Sequence, residues 1–400
     1  MNVNIKQHKI RKADPRIVRQ INAWNVFEEL RRRERTSIPE LCSVIGLTAA
    51  SVQSILHAMR EMGLVKKMGE GKSAGGRKPS LYALETETHF ILGAELGVSR
   101  LRVALVRLNG DIKDQRRFSL PPSQPAEAAK FLAQAVKGLV EANHVGEGAV
   151  LGLGVAQPGI VDNSGQVIRL DIHKKWSEVP LGELIQGELS FPVFLIEETH
   201  GQLTGIVEYG SVPGLENSIY ILIGNIDAEG VSGAVMSNGA LLAGHSGFAG
   251  EFGHMQVDPR GPDCMCGRRG CWEASGSLNR LAARIGLGLE NEKERIPDRL
   301  FQDDCWELLD EFLEVHANGI VNLIHAFNPR TISVGGEITC LGDRFFQMLF
   351  ERVRGKAMGP FLKGLSFVVN TGKDDALKGA SAVAMKEVLR TFNIKGVTYG

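Results

Sequence analysis

The 400-residue chain has no apolar run of about 18 residues, the length a membrane-spanning helix requires. Its first residues, MNVNIKQHKIRK, are charged but not followed by an apolar segment, so no signal peptide is expected. It has no net charge, 46 Lys+Arg against 46 Asp+Glu, which excludes a chain that is basic or acidic throughout. Cysteine is scarce, six in all, and Cys42, Cys305 and Cys340 are scattered. A disulfide framework is excluded on that spacing, and a reducing cytoplasm fits it, with no membrane partner. What is present is ordinary for a soluble globular protein: 43% apolar residues, 23% charged, and enough length for two or three domains.

The other three cysteines are not scattered. Residues 250 to 273 read GEFGHMQVDPRGPDCMCGRRGCWE, which places His254, Cys264, Cys266 and Cys271 within eighteen residues. Three thiolates and one imidazole suit a closed tetrahedral Zn2+ site, which is structural and not catalytic. Cys264 and Cys266 are too near in sequence to pair easily, and three thiols leave one over. Pro259, Gly261, Pro262, Gly267 and Gly270 supply sharp turns for a metal knuckle. Glu251 and Glu273 flank the ligands and are candidate ligand-binding groups.

Charge is unevenly spread. The first 80 residues hold 16 Lys+Arg and 7 Asp+Glu; the remaining 320 hold 30 and 39. A basic head on an acidic body points to operator DNA met by the head alone. Within the head, Ile17, Ile21, Trp24, Phe27 and Leu30 predict one buried helical stripe from Pro15 onward. Ser37-Ile-Pro-Glu40 is a capping box for a second, short helix with Leu41 and Ile45 inward. Gly46 turns the chain, and Thr48 caps a third helix whose Val52, Ile55, Leu56 and Met59 face inward. That order is a helix-turn-helix. Thr48, Ala50, Ser51, Gln53 and Ser54 stand where a recognition helix meets base edges. Strands are expected at 64–67 and 80–84. The glycine-rich loop between them carries Lys72, Gly76, Arg77 and Lys78, a wing suited to a narrow minor groove.

From about residue 86 strands and helices alternate. Strands are expected at 90–95, 101–107, 112–118, 150–156 and 192–197, with helices at 126–142 and from 199. After a break near Val212 the pattern repeats, with strands at 219–224, 231–236, 331–334 and 365–370. Helices are expected at 274–286, 303–326 and 375–391. The expectation is an α/β chain: a winged helix-turn-helix over 1–85, one lobe over 86–210 and a second over 211–400, with a ligand cleft between the lobes.

These pieces resemble the ROK family of repressors, open reading frames and sugar kinases. GEFGH (250–254), CMCGRRGCWE (264–273), AQPGIVD (156–162), NGALLAG (238–244) and GGRKP (75–79) carry the resemblance. It implies two actin-like or hexokinase-like lobes behind the winged helix, and a homodimer or homotetramer. It also implies sugar hydroxyls held by Glu251, Glu273 and His254, with His254 ligating zinc through its other ring nitrogen. His200 falls where the family places a sugar-binding aspartate, with Thr199-His200 standing for the kinases' Asn-Asp pair.

The phosphate loops depart from the kinase pattern. Glu95-Leu96-Gly97-Val98-Ser99 stands for Asp-x-Gly-Gly-Thr, and Val98 puts a branched side chain where backbone should approach phosphate. GVSGA at 230–234 replaces a run of alternating glycines and follows Asp227 and Glu229, which repel phosphate. The expectation is a repressor of carbohydrate-utilisation genes that binds operator DNA and a sugar and has no kinase activity. The alternative is an ATP-dependent sugar kinase with a DNA-binding head.

Overall fold

The computed structural model describes residues 15–71, 78–119, 121–210, 214–224 and 230–390. The described chain divides into two compact units. The first takes the residues up to Phe90, Arg107–Asp111 and those from Met385; the second takes Ile91–Val106 and Ile112–Ala384. Among the described residues no single helix is long and apolar enough to cross a membrane.

The first unit is built from helices Pro15–Arg32, Ile38–Ile45 and Ala49–Glu61 and a three-stranded sheet. Strands Val65–Glu70 and Ser80–Leu84 pair antiparallel, and Thr36–Ser37 adds to the outer side of Ser80–Leu84. Leu41, Val52, Ile55, Leu56 and Met59 are buried, as the helical periodicity requires. Glu40 accepts from the Ser37 amide at 2.7 Å, and Thr48 Oγ1 accepts from the Ser51 amide at 3.2 Å, so both caps form. Gly46 turns at φ 75°, where glycine has no Cβ to clash. The first helix corrects its expected stripe. Ala23, Val26, Phe27 and Leu30 are buried, whereas Ile21 is 54% exposed. At about 100° per residue, position 21 falls outside the arc that 23, 26, 27 and 30 share.

The second unit contains two five-stranded sheets with one connectivity. In the first the order is Val193–Glu197, Val150–Gln157, Phe90–Leu96, Arg100–Arg107, Ile112–Ser119. In the second it is Ser366–Val369, Thr331–Gly335, Ser218–Ile223, Val231–Ser237, Ala240–Leu241. In chain order each sheet reads fifth, fourth, first, second, third, so a β-meander is extended by two later parallel strands in both. Strands Val150–Gln157 and Ser218–Ile223, inside their sheets, are buried on both faces, hence the continuous runs VLGLGVA and SIYILI.

Helix Asp375–Arg390 starts against the first sheet. A Cβ on Gly154 would lie 1.9 Å from the Ala380 carbonyl oxygen, so only glycine admits that approach. Helix Glu198–Tyr209 packs on the strands of both sheets. The largest core gathers Ile219, Ile221, Trp272, Leu309, Ile332 and Phe345 beneath the second sheet.

Three features were not expected. Ile160–Val161, Ile168–Asp171 and Trp176–Val179 form a small antiparallel sheet. The helix expected over 274–286 is two, Trp272–Ser275 and Leu278–Arg284, because Ser277 accepts from the Arg280 amide and starts a new helix. Short helices Leu289–Glu292 and Ile296–Leu300 precede Trp306–Phe327.

Candidate functional site

The segment after strand Val231–Ser237 and turn 238–239 runs through Ala240–Leu241 to a 3-10 turn at Phe252–His254. It then folds on itself through the bridges Gln256↔Cys271 and Asp263↔Arg269. Gly270 holds the hairpin shut: at φ 69°, a Cβ there would meet the Asp258 carbonyl oxygen at 1.6 Å. This fold brings His254, Cys264, Cys266 and Cys271 together, with one ligand atom of each within 4.8 Å of all the others. Cys264 Sγ lies 3.7 Å from His254 Nδ1, and Cys266 Sγ lies 3.7 Å from Cys271 Sγ. Metal–sulfur bonds of about 2.3 Å in a tetrahedron give edges of roughly 3.8 Å, so the donors fit such an ion. The three cysteines are free of disulfides. Burial pushes the Cys264 thiol up to about 12 and raises Cys271, whereas the peptide of Arg268 lowers Cys266.

The knuckle is fastened to the core through its next residue. Trp272 is fully buried, and its Nε1–H donates to His316 Nδ1 at 3.0 Å. Gly319 makes room for the indole, since a Cβ there would lie 2.4 Å from the ring. Burial drives His316 down to about 3, so it is a neutral acceptor. Glu273 follows Trp272 directly, and its carboxylate is 3.4 Å from His254 Nδ1. The other imidazole nitrogen, Nε2, faces Glu251 at 3.9 Å.

Glu251, His254 and Glu273 line one cavity of about 500 Å3. Glu197 and Glu198, at the start of helix Glu198–Tyr209, complete a polar floor. Desolvation, Glu197 and Glu273 push the Glu251 carboxyl up to about 7. Its side chain keeps 45% of its surface, but that surface faces a concavity walled by protein and by two other carboxylates. The lining also includes aliphatic side chains, Ile160, Leu170, Ile172 and Met265, and the imidazole of His173.

His200 does not line this cavity. It is buried, with Nε2 2.9 Å from the Ala249 carbonyl oxygen, two residues before Glu251. Thr199 is likewise turned inward, its hydroxyl meeting Glu197 and Ser232. Sequence reasoning missed Glu197 and Glu198; a buried strand ending in two carboxylates was the available signal. It also missed Leu170 and Ile172, because nothing in IRLDIHKKW announced the small sheet that carries them.

A second cavity of about 470 Å3 shares Glu198 and Leu222 with the first. It is lined by the β-hairpin bearing Glu95 and by Gly336 and Glu337. Several of its charges are paired, and Arg117 and Lys373 line it as well. Glu95, buried, accepts from Arg102 at 2.9 Å and Arg100 at 3.3 Å; Arg102 also pairs with Asp374, and Lys293 with Glu337 at 3.0 Å. Lys174 Nζ donates to the Leu96 carbonyl at 2.8 Å, beside the 97–99 turn. Gly230–Ala234 lead into and form the start of a buried strand, whereas Asp227 and Glu229 lie outside the described residues.

On the head, Thr48, Ala50 and Gln53 are exposed, and Ser51 and Ser54 are half-buried on the same helix end. Thr48 and Ser51 hydroxyls meet at 2.9 Å. Lys78 is exposed; Lys72, Gly76 and Arg77 lie outside the described residues.

Comparison with known proteins gives four matches of different reach. The sequence profile described as the ROK family matches residues 91–387. A protein named xylose repressor from Bacillus spizizenii is 27% identical over 329 residues, 82% of this chain and 84% of its own length. Among solved structures, a ROK family transcriptional regulator, titled a homologue of the E. coli MLC protein, superposes with a TM-score of 0.79 at 21% identity. It covers 93% of this chain and 97% of its own. A ROK family glucokinase from Streptomyces griseus, solved with glucose and AMPPNP, gives a TM-score of 0.62 at 21% identity over 74% of this chain and 99% of its own.

Proposed function

We propose, from the premise that this chain belongs to the ROK family, that it is a DNA-binding transcriptional repressor of carbohydrate-utilisation genes that senses a sugar or sugar derivative. One observation carries the reading. Glu251, His254 and Glu273 converge on a single cavity while the other imidazole nitrogen faces three cysteines. Carboxylates and an imidazole held rigidly in a concave site supply the fixed donors and acceptors that polyols need. The name of the Bacillus relative agrees with it.

In this reading residues 1–85 form a winged helix-turn-helix, 86–210 and 211–400 the two sugar-kinase-like lobes. Ala49–Glu61 is the recognition helix, with Thr48, Ala50, Ser51, Gln53 and Ser54 toward the bases and Lys72, Gly76, Arg77 and Lys78 in the wing. A homodimer or homotetramer in the cytoplasm would match palindromic operators. Sugar and operator affect each other's affinity reciprocally, because each favours one state of the protein. His254, Cys264, Cys266 and Cys271 would hold Zn2+, which supplies a rigid cross-link. His200 is a positioning residue, fixing the backbone ahead of Glu251. The reading is non-enzymatic: the hairpin that would approach phosphate carries Val98, and Glu95 behind it is spent on Arg100 and Arg102.

Calorimetry against a panel of monosaccharides and their derivatives, with operator binding followed in parallel, tests the reading. Binding of one class that also weakens operator affinity is the expected result; no saturable sugar binding at all would refute it. Metal analysis should find one zinc per chain in protein purified without chelator, and Cys266→Ser should lower both zinc content and sugar affinity. DNA affinity should fall steeply with salt as counterions are released, by a factor of about 1,000 or more between 50 and 200 mM if six or more phosphates are met.

A further inference from the structure

The sensing cavity is lined by two unlike sets of side chains, and together they specify a kind of sugar. One set is four carboxylates, Glu197, Glu198, Glu251 and Glu273, with the imidazoles of His173 and His254. Among the described residues no lysine or arginine lines it. A phosphoryl or carboxylate group would therefore enter among four carboxylates, with no guanidinium or ammonium to receive it. Arg100, Arg102, Arg117, Lys293 and Lys373 line the neighbouring cavity instead.

The other set is aliphatic. Leu170 is 41% exposed, Ile172 38% and Met265 58%, and Ile160 lines the same cavity. Exposed large apolar residues scattered singly need no explanation, but three lining one cavity do. They come from separate segments: Leu170 and Ile172 from the small sheet and its exit, Met265 from the knuckle, between two of its thiols. The cavity, about 500 Å3, is in the range of drug-sized ligand sites and has room beyond one sugar ring.

We infer that the effector is an uncharged or amino sugar bearing an apolar substituent, a glycoside with an aryl or alkyl aglycone, and not a free sugar phosphate or sugar acid. The glycone hydroxyls, or an ammonium, meet Glu251, Glu273 and His254. The aglycone lies on Leu170, Ile172 and Met265, where a flexible thioether adapts to an irregular partner. The inference rests on the sugar-sensing reading and names the class of ligand for the same site.

The test is calorimetry on the full-length, zinc-loaded chain. Several aldoses and amino sugars are each offered as the free sugar, as both methyl and phenyl glycosides of either anomer, as the 6-phosphate and as the uronic acid. Burying a phenyl ring on such a wall strengthens binding by on the order of tenfold to a hundredfold. One phenyl glycoside should therefore bind at least about tenfold tighter than its methyl counterpart, and the phosphate and uronate of that sugar more weakly than either. Leu170→Ser and Met265→Ser should each reduce the phenyl-to-methyl ratio toward one. Leu170 lies outside the metal knuckle, so its effect is independent of any damage Met265→Ser does there. Equal affinities for phenyl and methyl glycosides in the parent, or tightest binding of a phosphate or uronate, would overturn the inference and leave the sensor standing. A ratio unmoved by Leu170→Ser would overturn the placement of the aglycone. Binding of no sugar in any form would end both readings.

Discussion

Two cavities of nearly equal size, about 470 and 500 Å3, lie side by side in the α/β unit and share Glu198 and Leu222. Both are rich in charge, yet the balance of sign differs. In the smaller, five cations are among the described lining, and three of them lie on protein anions: Arg100 and Arg102 on Glu95, Lys293 on Glu337. In the larger, four carboxylates and two imidazoles, His173 and His254, are gathered without one lysine or arginine among the described lining. Cations and anions that meet within one cavity stabilise a fold; a lining with no lysine or arginine selects the charge of a ligand. The first cavity is lined by the hairpin bearing Glu95, the one expected to approach phosphate, so the proposed absence of kinase activity is a statement about that cavity.

The largest effect expected from this difference is an absence. With ATP and a panel of hexoses and pentoses, ADP release should stay at background. A turnover number in the usual enzyme range of about 1 to 1,000 per second would erase the distinction between the cavities. Next in size is Arg102→Met. It removes the closest cation from a buried Glu95, with Arg100 still at 3.3 Å, and should cost on the order of 3 kcal/mol of stability in urea. Sugar affinity should not change, because Arg102 lies in the smaller cavity alone. Glu273→Gln should do the reverse. It keeps shape and loses a charged acceptor, so sugar affinity should fall by about 2 kcal/mol, roughly thirtyfold, with a smaller change in the urea midpoint. If Arg102→Met weakened sugar binding and Glu273→Gln did not, the roles assigned to the two cavities would have to be exchanged.

How much of this was legible in the sequence varies with the kind of signal. Capping residues speak locally, so Ser37/Glu40 and Thr48 mark the starts of two helices, and both hydrogen bonds form. The knuckle was legible because four donors within eighteen residues have little else to do. The repeated sheet order was visible only as a repeated pattern, since its strand order depends on pairings distant in sequence. Leu170 and Ile172 were not legible as site residues. Their segment has no clear alternation, and only the turn between Asp171 and Trp176 brings it into a sheet. His200 was placed in the cavity because a family position was carried over as if side-chain direction came with it. In the structure the ring is drawn instead to the Ala249 carbonyl.

The smallest effect concerns what holds the larger cavity's wall in place, and it has a pH signature. Glu273 is one residue from Trp272, whose buried indole N–H donates to His316 Nδ1. Buried and neutral, His316 has its pKa driven down to about 3 from an ordinary value of 6.5. A depressed pKa means that the unfolded chain takes up a proton more readily than the folded one. The stabilisation is therefore complete above about pH 6.5, and is lost as pH falls from there toward about 3, at roughly 1.4 kcal/mol for each unit. By pH 5.5 the loss from this group should be about 1.4 kcal/mol. An ion held by His254 and the knuckle thiols would also be released in acid, so the parent alone does not isolate the effect. His316→Gln does, because an amide oxygen can still accept from the indole but takes no proton in this range. The variant should be less stable than the parent at pH 7.5, and the gap should narrow by about 1.4 kcal/mol at pH 5.5, measured by urea unfolding with zinc in excess. A gap that stays constant with pH would mean that His316 is protonated alike in both states, and that the anchor of the knuckle does not depend on a neutral acceptor.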